Sequence, residues 1–153
     1  MADTTYHEQL AARRTFKDSI FRMLFSDKEK LLTLYNAVNG TNYQDPGLLE
    51  VNTLKNAIYM AVHNDISFLA GDSLSLYEHQ STCSGNLTLR FLFYVSDLFS
   101  SLTRDSNLYS RKGIRLPAPQ FLIFYNGEEK TEERKVLRLS ELYAVQDEQP
   151  ALE

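Results

Sequence analysis

The chain has 153 residues, a length that favours one domain with a core large enough to fold without disulfides. Sixteen Lys and Arg against twenty Asp and Glu give a net charge of −4, which argues against a protein that binds nucleic acid over its whole surface. The single Cys83 excludes an internal disulfide and fits a cytoplasmic location, and no apolar run approaches the roughly 20 residues that span a membrane.

Two helices are predicted in the first 40 residues. A start signal resembling a capping box begins at Thr15 and precedes a first helix, whose apolar face falls in residues 20–25. Residues 26–29, Ser-Asp-Lys-Glu, give a stronger start signal for a second helix. Gly40 is the predicted end of that helix, because glycine readily adopts the left-handed conformation that follows many helices.

Strands are predicted in the middle of the chain. Residues 48–52 fit a short strand, and the apolar run 57–62 is short enough to be another strand that leads into a hairpin. Residues 64–80 read as that hairpin, because β-prone stretches flank the turn residues 71–73, Gly-Asp-Ser.

The second half of the chain completes the predicted sheet. Residues 87–104 form the longest periodic segment and predict a largely buried helix. Residues 120–127 read as a strand buried on both faces, and residues 136–142 as an edge strand with a turn of helix. The order helix, helix, three strands, helix, strand predicts one α/β domain, residues 1–153, with a mixed sheet flanked by helices. The acidic ending leaves open that this domain is cut short at its C-terminus.

Two carboxylates are predicted to meet at the open end of the hairpin. Asp65 begins its first strand and Glu78 lies near the end of its second, so strand pairing brings them together. Carboxylates at that distance repel each other unless a cation, a proton or a basic group lies between them. Mg²⁺ or Mn²⁺ is the natural candidate, with the carbonyl of His79 as a further oxygen ligand and Gln80 orienting water. An exposed hairpin with one acid on each strand fits the same spacing.

These residues carry a family resemblance. Asn64-Asp65 and Glu78-His79-Gln80, on the second and third strands after a helical start, resemble the PD-(D/E)XK nuclease core, which runs helix, three strands, helix, strand. Over residues 16–143 the chain more closely resembles the transposase-like, recombination-promoting nucleases. That resemblance rests on four blocks: residues 16–25, 59–69, 76–81 and 121–127. It implies a restriction-endonuclease-like core and metal-dependent DNA cleavage, with Asp65 and Glu78 as ligands and Gln80 as the water-orienting group.

Two positions depart from the general superfamily motif. Asn64 stands where that motif has Pro, a position that decides little. Gln80 stands where the motif has Lys, and it offers a dipole and a donor instead of a positive charge. Gln also occurs at this position in the resembled family, so the difference bears on catalytic rate and does not by itself imply an inactive protein.

Other residues have both a functional and an ordinary explanation. Asp18 and Arg22 resemble the family's N-terminal acid and basic pair, as a further metal ligand and a phosphate contact, although the helix dipole alone favours an acid at Asp18. Arg90, one helical turn from Tyr94, either binds phosphate or extends from a core helix to solvent. Tyr125 either contributes to the site or ends its strand. Four basic residues either face DNA or belong to a solvated loop: Arg104, Arg111, Lys112 and Arg115.

Three functions follow as expectations. The first is a Mg²⁺-dependent DNA endonuclease of recombination or mobile-element biology, which by analogy with restriction-type relatives could act as a homodimer. The second is a weakly active or inactive nuclease-fold protein that binds DNA or protein, which the net charge and Gln80 favour. The third is a phosphatase or other hydrolase built on the paired carboxylates.

Overall fold

The computed structural model describes residues 19–51 and 65–153. These residues contain helices α1 (residues 19–25), α2 (Lys28–Asn39) and α3 (Leu87–Leu102), strands β1 (Leu49–Val51), β2 (Ile66–Ala70), β3 (Ser73–Gln80) and β4 (Ala118–Tyr125), and 3₁₀ turns at Pro46–Leu48 and Leu139–Leu142. The predicted α/β fold with a mixed sheet is therefore confirmed. Thr15, Asp18 and the predicted strand at 57–62 lie outside the described residues.

The four strands form one sheet in the order β1-β2-β3-β4. β1 pairs antiparallel with β2, and β2 pairs antiparallel with β3 as the predicted hairpin, with Ile66 opposite Tyr77. Gly71 takes a positive φ of 60° in the turn, which glycine adopts without steric cost. β3 pairs in parallel with β4, and α3 supplies the crossover connection that parallel pairing requires.

The helices cover both faces of the sheet. On one face, α1 and α2 pack against β1, β2 and alternate residues of β3 and β4. The buried residues of this cluster are Phe21, Leu31, Leu32, Tyr35, Leu49, Ile66, Phe68, Ala70 and Tyr77. On the other face, α3 packs against the remaining residues of β3, in a cluster of Leu74, Leu76, Phe91, Tyr94, Val95 and Leu98. β3 is therefore buried along its whole middle section, residues 74–79.

The ends of α2 follow the predicted signals. The side chain of Asp27 accepts a hydrogen bond of 2.9 Å from the backbone N–H of Glu29, so Asp27 is the N-cap. Gly40 ends the helix with a φ of 64°. None of the helices within the described residues has the length and apolar character needed to cross a membrane.

The prediction that residues 120–127 are buried on both faces is wrong. β4 lies at the edge of the described sheet, most of its residues are only half-buried, and Phe121 is 41% exposed. The apolar residues of β4 divide between the two faces of the sheet: Ile123 points towards α3 and Phe124 points towards α1. The strand is apolar throughout because helices cover part of each face. In residues 136–142 the structure contains the predicted helical turn, Leu139–Leu142, and its described residues form no strand there.

Candidate active site

The structure brings Asp65 and Glu78 together where β2 begins and β3 ends. The hairpin register, with Ile66 opposite Tyr77, leaves Asp65 opposite Glu78. The backbone N–H of Asp65 donates to Oε2 of Glu78 at 2.9 Å, and the backbone N–H of His79 donates to Oδ2 of Asp65 at 2.8 Å. Each carboxylate thus accepts a hydrogen bond from the backbone beside the other, which fixes the two side chains near one another.

Glu78 is also held by two side chains of α3. Its side chain is only 1% exposed, and its Oε1 lies 2.6 Å from Nη2 of Arg90. The hydroxyl of Tyr94 donates to the same oxygen at 3.3 Å and accepts hydrogen bonds from Nε and Nη2 of Arg90 at 3.2 and 2.9 Å. Arg90 and Tyr94 are one turn apart and therefore lie on the same stripe of the helix. The three side chains form a closed triangle between α3 and β3.

Burial and charge shift the ionisation of this triangle. Burial beneath α3, together with the negative charge of Asp65, raises the pKa of Glu78 to about 7, although the Asp65 N–H, Arg90 and Tyr94 favour its charged form. Burial and the adjacent Glu78 raise the pKa of Tyr94 to about 12. Burial alone lowers the pKa of Arg90, but Tyr94 and Glu78 outweigh burial and raise it. Glu78 therefore changes its protonation state near neutral pH, whereas Arg90 stays charged.

Asp65 has a more distant arginine partner on the opposite side. Nε of Arg22 in α1 lies 3.7 Å from Oδ1 of Asp65, and the side chains are 47% and 11% exposed. The preceding residue, Phe21, stacks on the ring of His79 with 5.5 Å between the ring centroids, and its centroid lies 5.6 Å from that of Phe124. These contacts hold α1 against the sheet. Arg22 thus reaches the acid pair from one face of the sheet, as Arg90 does from the other.

The three residues that end β3 point in alternate directions. The ring of His79 faces α1, so it points away from Glu78, as strand alternation predicts. The backbone N–H of His79 faces Asp65, and its carbonyl points towards the same side, since both groups of a strand residue project together. Gln80 is half-buried and shares the face of Glu78 by the same alternation, and its carbonyl accepts a hydrogen bond from the N–H of Asn126 at 3.1 Å.

Tyr125 stands beside Gln80 on the neighbouring strand, and its hydroxyl lies next to Gly127 in the segment after β4. It is the register partner of Gln80 in the parallel pair. Its hydroxyl is buried against Gly127, where a Cβ would overlap it and would come within 2.6 Å of the carbonyl of Ser81. This arrangement supports a role for Tyr125 in closing the loop after β4.

The chemistry of these residues fits a hard divalent cation. Within the described residues, no group of three or more His, Cys, Asp or Glu side chains could hold a metal ion. Two carboxylates and the carbonyl of His79 nevertheless make three oxygen donors, and Mg²⁺ is usually held by one or two carboxylates with water completing its shell. Arg90 and Tyr94 lower the pKa of Glu78, but burial and the negative charge of Asp65 raise it by more. A cation beside both acids would favour their ionised forms.

Sequence reasoning missed Tyr94 as a member of the site. Its spacing of four residues from Arg90 was visible, but periodicity alone assigns a tyrosine on an apolar helix to the core. In the structure Tyr94 is a core residue and a site residue at once. It is 1% exposed and belongs to the α3 cluster, and its hydroxyl forms hydrogen bonds with both Arg90 and Glu78. A tyrosine in a helix predicted to be buried could have identified it, because a buried Tyr hydroxyl needs a hydrogen-bond partner.

The basic loop lies at the opposite end of the sheet. α3 begins beside the acid pair and runs for 16 residues, roughly 24 Å, before the loop that carries Arg104, Arg111, Lys112 and Arg115. That loop returns to β4 next to the hairpin turn, where the N–H of Ala118 donates to the carbonyl of Asp72 at 2.9 Å. These four basic residues therefore do not flank the acid pair, whereas Arg22 and Arg90, also in the described part of the chain, lie beside it.

A large apolar groove occupies a different part of the surface. It has a volume of about 1140 Å³ and lies between α3, β4 and residues 133–139. Neither acid of the pair lines it. The groove is large enough for a ligand and its lining includes the ion pair of Arg138 and Glu153, but the pair of adjacent carboxylates, Asp65 and Glu78, lies outside it.

Comparisons with known proteins assign no family to this chain. No protein-family model, no curated protein and no solved structure matches it. A functional assignment therefore depends on the acid pair, its surroundings and the sequence blocks that contain them.

Proposed function

We propose that this protein is a cytoplasmic, Mg²⁺- or Mn²⁺-dependent DNA endonuclease of the PD-(D/E)XK type, acting in recombination or in mobile-element biology. The observation that supports it most is the crossed pair of hydrogen bonds that fixes Asp65 and Glu78 side by side at the end of β3. The order of strands and helices around the pair agrees with a restriction-endonuclease-like core. The resemblance of the sequence blocks supplies the substrate class, DNA.

Each residue of the site has a role in this proposal. The carboxylates of Asp65 and Glu78 and the carbonyl of His79 would hold the divalent ion. Such an ion polarises a phosphoryl oxygen and lowers the pKa of bound water. Gln80, on the face of Glu78, orients that water through its side-chain amide. Arg22, which is 47% exposed beside Asp65, offers its guanidinium to a phosphate of the DNA.

The local charge distribution is consistent with DNA despite the acidic net charge of −4. Arg22 and Arg90 approach the acid pair from opposite faces of the sheet, and both are placed to contact a phosphate there. The arginines in this way offset, at the site, the repulsion that a net acidic protein exerts on a polyanion. Binding through such phosphate contacts should fall with added salt.

A second candidate is a nuclease-fold protein that binds DNA or protein without cutting it. The arginine pairs favour it: Glu78 contacts Arg90 at 2.6 Å and Asp65 contacts Arg22 at 3.7 Å, so both acids already have cationic partners. Ion pairs that include a buried acid, as Glu78 is, can be retained for structural specificity. Gln80 in place of the motif Lys favours the same reading.

The test is cleavage of supercoiled plasmid DNA with Mg²⁺ or Mn²⁺ and with a chelator. We expect nicking that requires the metal and falls by roughly a hundredfold or more in Asp65→Ala and in Glu78→Ala. The matched control is Asp72→Ala, which removes an exposed acid at the other end of the same hairpin and should cut like the wild type. Circular dichroism of each variant checks that the fold is intact.

Titration calorimetry with Mn²⁺ separates the two candidates. The endonuclease predicts metal binding that disappears in Asp65→Ala and survives in Asp72→Ala. A protein that retains DNA in a gel-shift assay, takes up no Mn²⁺ and cuts no DNA would establish the second candidate. Undiminished nicking in both Asp65→Ala and Glu78→Ala would show that the acid pair is not the active site.

A further inference from the structure

We propose that the guanidinium of Arg90 and a divalent cation compete for the carboxylate of Glu78, so that Arg90 leaves Glu78 when the acid pair takes up metal. This inference rests on the proposed metal site. It adds an exchangeable internal cation, and it gives Tyr94 the role of a positioning residue that keeps Arg90 within reach.

Arg90 and Glu78 are in unusually close contact. Nη2 of Arg90 lies 2.6 Å from Oε1 of Glu78, shorter than most hydrogen bonds between an arginine and a carboxylate. Glu78 is 1% exposed, so water cannot easily replace the guanidinium there. Arg90 therefore already occupies a cation position on the most buried acid of the pair.

The carboxylate of Glu78 has little room for two cations. Mg²⁺ binds carboxylate oxygens at roughly 2.1 Å. With the guanidinium also at 2.6 Å, a divalent ion and Arg90 would share one buried carboxylate group. Like charges so close repel strongly where water is excluded. An ion bound through Oε2, which accepts the N–H of Asp65 at 2.9 Å, would still lie on the same carboxylate group as the guanidinium and would still be repelled by it.

The guanidinium of Arg90 has solvent on one side into which it can turn when it leaves Glu78. Its side chain is 29% exposed, so one side of the guanidinium already faces solvent. Nε donates to the hydroxyl of Tyr94 at 3.2 Å, and Nη2 donates to the same hydroxyl at 2.9 Å. If the bond to Glu78 is lost, the Nε bond to Tyr94 can persist while the outer nitrogens turn towards solvent. A released guanidinium beside the acid pair is placed to bind a phosphate.

The test compares Mn²⁺ affinities of three full-length proteins by titration calorimetry. Arg90→Gln removes the competing charge, and we expect it to bind Mn²⁺ between about fivefold and a hundredfold more tightly than the wild type. Arg90→Lys keeps the charge and should bind within about threefold of the wild type. Equal affinities of the wild type and Arg90→Gln would overturn the competition.

A second measurement detects the movement itself. In ¹⁵N-labelled wild-type protein, the Nε–H resonance of Arg90 is identified by its absence in Arg90→Lys. We expect this resonance to shift as Mg²⁺ is added, with the same midpoint as metal binding. A resonance that stays unchanged at saturating Mg²⁺ would overturn the proposal even if Arg90→Gln binds more tightly, because repulsion without displacement would then explain the affinity.

These outcomes also distinguish the proposal from the function on which it rests. Absence of metal binding in both the wild type and Arg90→Gln would remove the metal site, and the competition with it. Metal binding with an unmoved Arg90 would leave the endonuclease intact and remove only the competition. The resonance measurement uses the wild-type chain, so it decides the question even if Arg90→Gln fails to fold.

Discussion

Replacing Glu78 by Gln should change how the stability of the protein depends on pH. Glu78 is 1% exposed and has a pKa raised to about 7 from its ordinary value of 4.5, chiefly by burial and then by the charge of Asp65. Glutamine has nearly the same shape and no charge to lose. The variant therefore removes one titrating group from the interior and leaves the packing between α3 and β3 almost unchanged.

The direction and size of this pH dependence follow from the pKa of Glu78 in the unfolded chain, 4.5, and in the folded protein, about 7. Because the folded protein holds this proton more tightly than the unfolded chain, its contribution to stability is complete below about pH 4.5 and is lost as the pH rises through about 7. Each pKa unit corresponds to about 1.4 kcal/mol, so the free energy of unfolding of the wild type should lose on the order of 3 kcal/mol across this window. Glu78→Gln should not show that loss.

The assay is urea denaturation of both proteins between pH 4.5 and pH 8 in metal-free buffer. The unfolding free energy of Glu78→Gln, minus that of the wild type, should rise by on the order of 3 kcal/mol over the range. Asp72→Asn, at the exposed hairpin turn, is the control, and its difference from the wild type should change by less than about 0.5 kcal/mol. A difference for Glu78→Gln that stays constant over this range would refute the reasoning.

Three further predictions concern other parts of the molecule. Gly127→Ala should lower the unfolding free energy by about 1–3 kcal/mol in the same denaturation experiment, because the new Cβ would overlap the hydroxyl of Tyr125. Its control is Gly85→Ala, whose Cβ meets no atom within 4 Å and whose unfolding free energy should stay within about 0.5 kcal/mol of the wild type. Asp27→Ala removes the N-cap bond of α2 and should cost about 1 kcal/mol, measured in the same way. Gln80→Lys supplies the positive charge of the general motif and should raise the rate of plasmid nicking roughly tenfold, and an unchanged rate would mean that this position does not orient the reacting water.

Local patterns in the sequence predicted the ends of α2 and the hairpin of β2 and β3. Asp27 and Gly40 mark the ends of α2 because capping depends on a few neighbouring residues. The turn at Gly71 fixes the hairpin register, and alternation then places Glu78 and His79 on opposite faces. All of these relations are set within one element or between two that are adjacent in sequence.

The parts that sequence could not supply depend on how distant elements meet. An apolar run does not tell an inner strand from an edge strand, because strand order depends on the crossover through α3, and β4 was misjudged for that reason. The contacts of Arg90 and Tyr94 with Glu78 depend on where α3 crosses β3, which periodicity does not encode. The basic loop is far from the acids for the same reason, since the length of α3 separates them.

The claim on which the account depends is that Asp65 and Glu78 share one divalent ion. Crystals soaked in Mn²⁺ and measured for anomalous scattering test it most directly. We predict a peak bound by a carboxylate oxygen of each acid, at roughly 2.0–2.4 Å, with Arg90 turned away from Glu78. A structure in which both carboxylates still contact their arginines, and Mn²⁺ binds elsewhere or not at all, would contradict it.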